Sequence, residues 1–222
     1  MLKHGVFIAI WILAGAAGGF SQGRFELQFG ASAGLPFSIS MESRLPGFAG
    51  PFASHAYDRA PFFAGPAVRA AFNDRITLGF DALYKPVRGR GSERFETSRE
   101  TLSTSGSTWD FPLIVDYHVL KSTPRLYFGL GLVVGAITRG TTEIRSTDIQ
   151  TGASSMRTEE LRAKRQVPAP IINGGLEWRA GGLVIRPEMR YTRWRRVDAT
   201  LAARHFNQFE YLIGFSFRSY ER

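Results

Sequence analysis

The chain has 222 residues, with 28 Lys and Arg against 19 Asp and Glu, a formal charge of +9 and a pI near 10.3. It contains no cysteine, which excludes disulfides, thiolate metal sites and cysteine nucleophiles. Its four histidines, His4, His55, His118 and His205, stand too far apart for a metal pair at helical or hairpin spacing.

The first segment, Met1 to Gly23, reads as a secretory leader. Lys3 and His4 form a short basic start, an apolar run follows from Gly5 to Ala17, and small residues lead to a cut near Gly19 or Gly23. The run is shorter than the roughly 20 residues that cross a bilayer as a helix. The expected mature domain is therefore 24–222, carrying about +8 once Lys3 has left. An exported chain rarely meets nucleic acid, so the expected anionic partners are outer-membrane lipids and the phosphates of lipopolysaccharide.

After the leader, apolar residues recur at every second position, the period of a strand with two unlike faces. From Arg24 to about Ser40, Phe25, Leu27, Phe29, Ala31, Ala33, Leu35, Phe37 and Ile39 alternate with residues such as Glu26, Gln28, Gly30 and Ser32. Phe62 to Phe72 forms a second strand, with Arg69 on its polar face, and residues 73–75 form a tight turn. Ile76, Leu78, Phe80, Ala82 and Tyr84 then alternate with Thr77, Gly79, Asp81 and Lys85. In the fourth strand, Trp109, Phe111, Leu113, Val115 and Tyr117 oppose Asp110, Asp116 and His118.

A turn at 121–124 leads to Leu126, Phe128, Leu130, Leu132 and Val134, set against Gly129, Gly131 and Gly135. The sixth strand places Ile172, Leu176 and Trp178 opposite Asn173 and Glu177, and turns again at 179–182. The seventh sets Leu183, Ile185, Met189 and Tyr191 against Arg186, Glu188 and Arg190. The eighth sets Phe209, Tyr211, Ile213, Phe215 and Phe217 against Gln208, Glu210, Ser216 and Arg218. The connections alternate between these three short turns and long loops near 42–61, 88–107, 138–166 and 194–205.

This layout predicts an all-β fold: a closed antiparallel transmembrane β-barrel of about eight strands, with short periplasmic turns and long extracellular loops. Ten strands remain open if part of a long loop pairs. Alternation alone does not say which face is inside, and a soluble periplasmic ligand-binding barrel would also alternate. Two features favour lipid outside. The polar face carries charges of both signs that can pair within a narrow lumen: Glu26, Arg69, Asp81, Asp116, Glu177, Arg186, Glu188, Arg190 and Glu210. Aromatics near the strand ends (Tyr84, Trp109, Tyr117, Trp178 and Tyr191) fit an interfacial girdle. Pro66, Pro112, Pro168, Pro170 and Pro187 count against regular strands, because each lacks a ladder donor.

The run Trp109-Asp110-Phe111-Pro112-Leu113-Ile114-Val115-Asp116-Tyr117 resembles a strand of the outer membrane protein beta-barrel domain family, which includes the PorT-like proteins. Leu126-Tyr127-Phe128-Gly129-Leu130-Gly131 is similar to that family's following strand. Glu188-Met189-Arg190-Tyr191 and Gly214-Phe215-Ser216-Phe217 resemble its last hairpin. The resemblance implies a small barrel of the OmpA or OmpX architecture in the cell outer membrane and carries over no catalytic residue. The final strand also resembles the signal read by the barrel assembly machinery, the expected partner during insertion. It departs from that signal by ending Arg218-Ser219-Tyr220-Glu221-Arg222 rather than on a terminal Phe.

The chain has no phosphate loop, nucleophile elbow or metal pattern, so no enzyme activity and no cofactor are expected. A lipid A-modifying surface enzyme would need a histidine beside a serine and a carboxylate. His205 stands near the outer rim, but Asn207 occupies the place where a serine would be wanted. His118 is expected in the lumen near the periplasmic rim as a packed polar residue. A narrow gated pore is a further alternative, although eight strands leave an interior just wide enough for side chains. The loop arginines Arg193, Arg195, Arg196 and Arg204 are candidate lipopolysaccharide contacts through charge-assisted hydrogen bonds. The surface partner is not named by the sequence.

Overall fold

The computed structural model describes residues 25–36, 54–56, 62–94, 97–161, 164–165, 167–194 and 207–219. The leader expectation falls on residues outside that set. The described residues form twelve β segments: β1 (Glu26–Pro36), β2 (Ser54–Ala56), β3 (Phe63–Ala71), β4 (Ile76–Asp81), β5 (Leu83–Arg94), β6 (Ser98–His118), β7 (Arg125–Asp148), β8 (Ser154–Leu161), β9 (Lys164–Arg165), β10 (Ala169–Ala180), β11 (Leu183–Arg193) and β12 (Asn207–Arg218).

β4 and β5 are two parts of one wall strand. Counting them together, the wall runs β1, β3, β4/β5, β6, β7, β10, β11, β12, with every neighbour antiparallel. β12 then pairs back onto β1, from Gln28 opposite Arg218 to Pro36 opposite Glu210. That pairing closes an eight-stranded barrel. Closure leaves the wall without an edge, which matters because an unpaired backbone group in hydrocarbon costs several kcal/mol.

The prolines disturb the ladder locally without moving the register. The β3 pairing stops at Ala67 opposite Asp81 and resumes at Ala64 opposite Tyr84. The gap lies where Pro66 faces Ala82, and Ala82 N still donates to Pro66 O at 3.0 Å. A Cβ on Gly65 would run into Ala82 O, so glycine permits this close approach. The β10–β11 ladder has a similar gap across Pro187, between Gly175/Glu188 and Trp178/Ile185. Pro112 and Pro170 sit within paired strands, and Pro168 falls just before β10.

Two stretches expected as loops are largely strand. β6 spans 21 residues and β7 spans 24, about twice the 9 to 11 that cross a bilayer. They pair continuously from His118/Tyr127 to Ser98/Asp148. β5 and β8 flank them and β2 pairs with β5, so a five-stranded sheet stands beyond the barrel at the loop end. These segments are rich in Ser, Thr, Arg and Glu on both faces, so no apolar alternation announces them. Pairing nonetheless satisfies their backbone groups, and threonine suits a pleated strand.

Candidate functional site

The wall is apolar on the outside and charged on the inside. Leu130 is 70 % exposed and Phe217 67 %, whereas Asp116 and Arg190 are each 2 % exposed. Phe29, Leu113, Val115, Phe128, Ile172 and Met189 also point outward. On β7 the outward apolar row runs from Leu126 to Ala136. At ~3.3 Å per residue and a tilt of ~40°, it covers ~25 Å along the barrel axis, the height of an outer-membrane apolar band. Aromatics mark its ends. Tyr84 meets Trp109 edge-on at 5.4 Å at the loop end, and Tyr191 packs on Phe209 at 4.8 Å. Exposed Tyr117 and Trp178 stand at the turn end, where the Tyr117 hydroxyl accepts a 2.6 Å hydrogen bond from Arg75.

Inside, among the described residues, seven basic side chains (Arg69, Lys85, Arg125, Arg179, Arg186, Arg190 and Arg218) pair with seven acidic ones (Glu26, Asp81, Asp110, Asp116, Glu177, Glu188 and Glu210). At the turn end, Arg218 meets Glu26 at 2.6 Å, and Arg179 spans from Glu177 at 2.7 Å to Glu26 at 3.8 Å. Arg125 meets Glu177 at 3.4 Å. Arg186 bonds Asp116 at 2.6 Å, reaches Glu177 at 3.7 Å, and lies 4.1 Å over the Tyr127 ring. Asn173 donates to Asp116 at 2.9 Å, and the Tyr127 hydroxyl donates to Glu188 at 2.8 Å. Glu188 also pairs with Arg190. Arg190 meets Asp81 at 2.5 Å, and Arg69 meets Asp81 at 2.7 Å.

This network ends at an apolar layer. Ile114, Ile171 and Leu83 each sit one inward position loopward of Asp116, Asn173 and Asp81. With Val133, Ala169, Trp194, Phe63 and Leu212 they form two buried clusters. Beyond them Lys85 bridges Asp110 at 2.8 Å and Glu210, with its ammonium 4.6 Å from the centre of the Phe63 ring. Trp194 Nε1 donates to Gln208 at 2.9 Å, and Gln208 in turn donates to Glu210. The gap lined by Arg69, Asp81, Ile114, Asp116, Asn173, Glu188 and Arg190 has no room for a water-sized sphere.

Glycines make room for the long side chains. A Cβ on Gly129 would collide with Asn173 Oδ1 and Asp116 Oδ1, and one on Gly175 would press on the Tyr127 hydroxyl. A buried pair stripped of one partner costs ~3–5 kcal/mol, so the interior is sensitive to any single loss. It also fixes register, because a one-residue slip would turn every charge toward the outside.

All nine lumen charges named from the sequence face inward: Arg69, Asp81, Asp116, Glu177, Arg186, Glu188, Arg190 and Glu210 are buried, and Glu26 is half-buried at the turn rim. Sequence reasoning missed Arg125 and Arg179 as members, because both border short turns. It missed Tyr127 because an aromatic reads as apolar. Spacing held the signal, since Arg125, Tyr127, Gly129 and Gly131 share one parity on β7. His118 is fully buried near the turn end, with Nε2 3.2 Å from the Thr77 hydroxyl and 3.9 Å from Glu177. Among the loop candidates, Arg193 is exposed and donates to Asn207 Oδ1 at 3.5 Å, which also accepts from Tyr191 at 2.7 Å. Arg195, Arg196, Arg204 and His205 lie outside the described residues.

No protein-family model matches the chain, and no curated protein matches it. Solved structures do. The outer membrane protein OprG from Pseudomonas aeruginosa aligns at 13 % identity with a TM-score of 0.51, over 89 % of this chain and 96 % of that one. The N-terminal β-barrel domain of Pseudomonas aeruginosa OprF aligns at 13 % identity and a TM-score of 0.38, over 89 % and 100 %. Ail of Yersinia pestis, solved with the heparin analogue sucrose octasulfate, aligns at 11 % and 0.35, over 88 % and 97 %. The OprG likeness shows the fold: this chain is a closed antiparallel barrel of the outer-membrane type.

Proposed function

We propose that this chain is an integral outer-membrane barrel with a structural or surface-binding role and no catalysis. Its short turns face the periplasm and its long hairpins face the exterior. The carrying observation is the inverted polarity of the wall: a girdled apolar belt outside and a balanced charge network inside. A lipocalin-like soluble barrel needs the opposite arrangement. The filled lumen and its apolar layer speak against an open pore. On this reading the chain is PorT-like, its leader exports it, and the barrel assembly machinery inserts it. The same reading assigns Arg193, Arg195, Arg196 and Arg204 to the phosphates of lipopolysaccharide, through guanidinium forks.

Two measurements test it. In cells separated into inner and outer membranes, the protein should travel with the outer membrane and resist extraction by urea. In planar bilayers, the purified barrel should show no stable ion conductance. A soluble periplasmic protein would overturn the membrane reading. Steady conductance would replace the structural role with a pore.

A further inference from the structure

The outward face of β6 and β7 changes chemistry halfway along two continuous strands. Up to Trp109 and Ala136, which are register partners, it is apolar. Beyond them the outward row on β6 is Ser107, Ser105, Ser103 and Thr101. On β7 it continues with Thr141, Glu143 and Arg145. The register sets Ser105 opposite Thr141, Ser103 opposite Glu143 and Thr101 opposite Arg145. Residues directly opposite share a face, with Cβ atoms ~4.5–5.5 Å apart. The Ser105 and Thr141 hydroxyls lie 3.1 Å apart, and those of Ser107 and Thr138 2.8 Å apart.

One residue is bulged out of the ladder at the start of this face. The β6–β7 register shifts between Ser107 and Thr108, and Thr138 is the extra residue on β7. A shift of one residue exchanges the two faces of a strand. If Thr138 took a regular place in the ladder, Thr142 and Ile144 would point outward, and Thr141, Glu143 and Arg145 would point to the inner side. With Thr138 bulged out of the ladder, Thr141, Glu143 and Arg145 are exposed, and Thr142 is buried on the opposite face. The bulge stands where the apolar band ends, at the barrel rim, a place where bulges commonly re-aim a strand.

We infer that this outward face of β6 and β7 is a contact surface for the saccharide of the outer-leaflet glycolipid around the barrel, an inference that rests on the outer-membrane reading above. Continuity carries it: the face is the next stretch of the same strands, directly above the acyl-facing belt, and the layer at that height is the sugar headgroup. The side chains fit that layer. Ser and Thr hydroxyls donate and accept, as sugar hydroxyls do. Glu143 accepts from them, and the Arg145 fork matches the phosphate and carboxylate groups of an anionic saccharide. The paired sheet holds these groups in place before binding, which lowers the ordering cost.

The test uses the full mature protein in detergent, titrated with lipopolysaccharide bearing its complete core and, separately, with lipid A. Wild type should bind the complete glycolipid about tenfold more tightly than lipid A. The triple variant Ser105→Ala, Thr141→Ala, Arg145→Ala should lose that preference and keep its lipid A affinity and its heat-dependent gel mobility. Equal wild-type affinities, or a triple variant that keeps the preference, would overturn the inference. A protein that sits in the outer membrane and binds neither glycolipid overturns this inference alone. A protein absent from the outer membrane overturns the reading beneath it.

Discussion

The two halves of β6 and β7 share one antiparallel pairing and obey opposite rules. In the turnward half, every outward position from Trp109 to Tyr117 is apolar, and the inward positions include Asp110, Asp116 and His118. In the loopward half, the outward face is polar as well, and hydroxyl pairs such as Ser105 with Thr141 link the two strands. Strand geometry is therefore common to both halves, and the surroundings decide the side chains. In the barrel the outward, lipid-facing side is the costly place for a charge, so charges gather and pair inside; above it the outward face carries polar side chains freely.

The largest expected effect that sharpens this contrast concerns ion pairs. Arg186→Ala leaves Asp116 buried without its guanidinium, while Glu177 keeps Arg125 and Arg179, and should cost ~3–5 kcal/mol in urea unfolding from lipid vesicles. Arg157→Ala removes the exposed Arg157–Glu159 pair of β8 and should change stability by less than ~0.5 kcal/mol. Next is charge on the outer face. Leu130→Arg places a cation in the belt and should cost ~2–4 kcal/mol near its middle, whereas Thr141→Arg on the upper sheet should be nearly silent. Equal costs at the two sites in the same assay would erase the contrast.

A smaller effect probes packing. Gly129→Ala drives a methyl into Asp116 and Asn173 and should cost ~1–3 kcal/mol. A neutral result would mean that the lumen has slack. The smallest effect lies at the tip of the β7–β8 hairpin. Asp148 accepts hydrogen bonds from the amides of Gln150 and Thr151, both at 2.8 Å, and these hold its carboxyl below the usual aspartate value. A depressed acid stabilises the turn at neutral pH, and that contribution is lost as pH falls through the depressed value. The Gln150 and Thr151 amide resonances should therefore titrate with a midpoint below that of a free aspartate, and Asp148→Asn should abolish the titration.

Much of the barrel was legible in the sequence because water and lipid impose a period of two on its wall. The outward rows of β4, β11 and β12, and of the lower halves of β6 and β7, follow from alternation alone. The charges at Arg186, Glu188 and Arg190 were visible for the same reason. Arg125 and Arg179 escaped because turn residues next to them masked their parity. The upper hairpins escaped more completely. Where no face is continuously apolar, hydropathy carries no periodic signal, and only backbone pairing reveals that residues 98–107 and 139–148 are strand. The Thr138 bulge was equally hidden, since one extra threonine among many hydroxyl residues leaves no mark in composition.

The central claim is that the apolar face points outward from a closed barrel into lipid. The direct test is gel mobility of the membrane-extracted protein, unheated against boiled, after the outer membrane has been separated from the inner. A heat-dependent shift confined to the outer-membrane fraction is the result this account predicts. A soluble periplasmic protein with a single, heat-independent band would contradict it and turn the wall inside out.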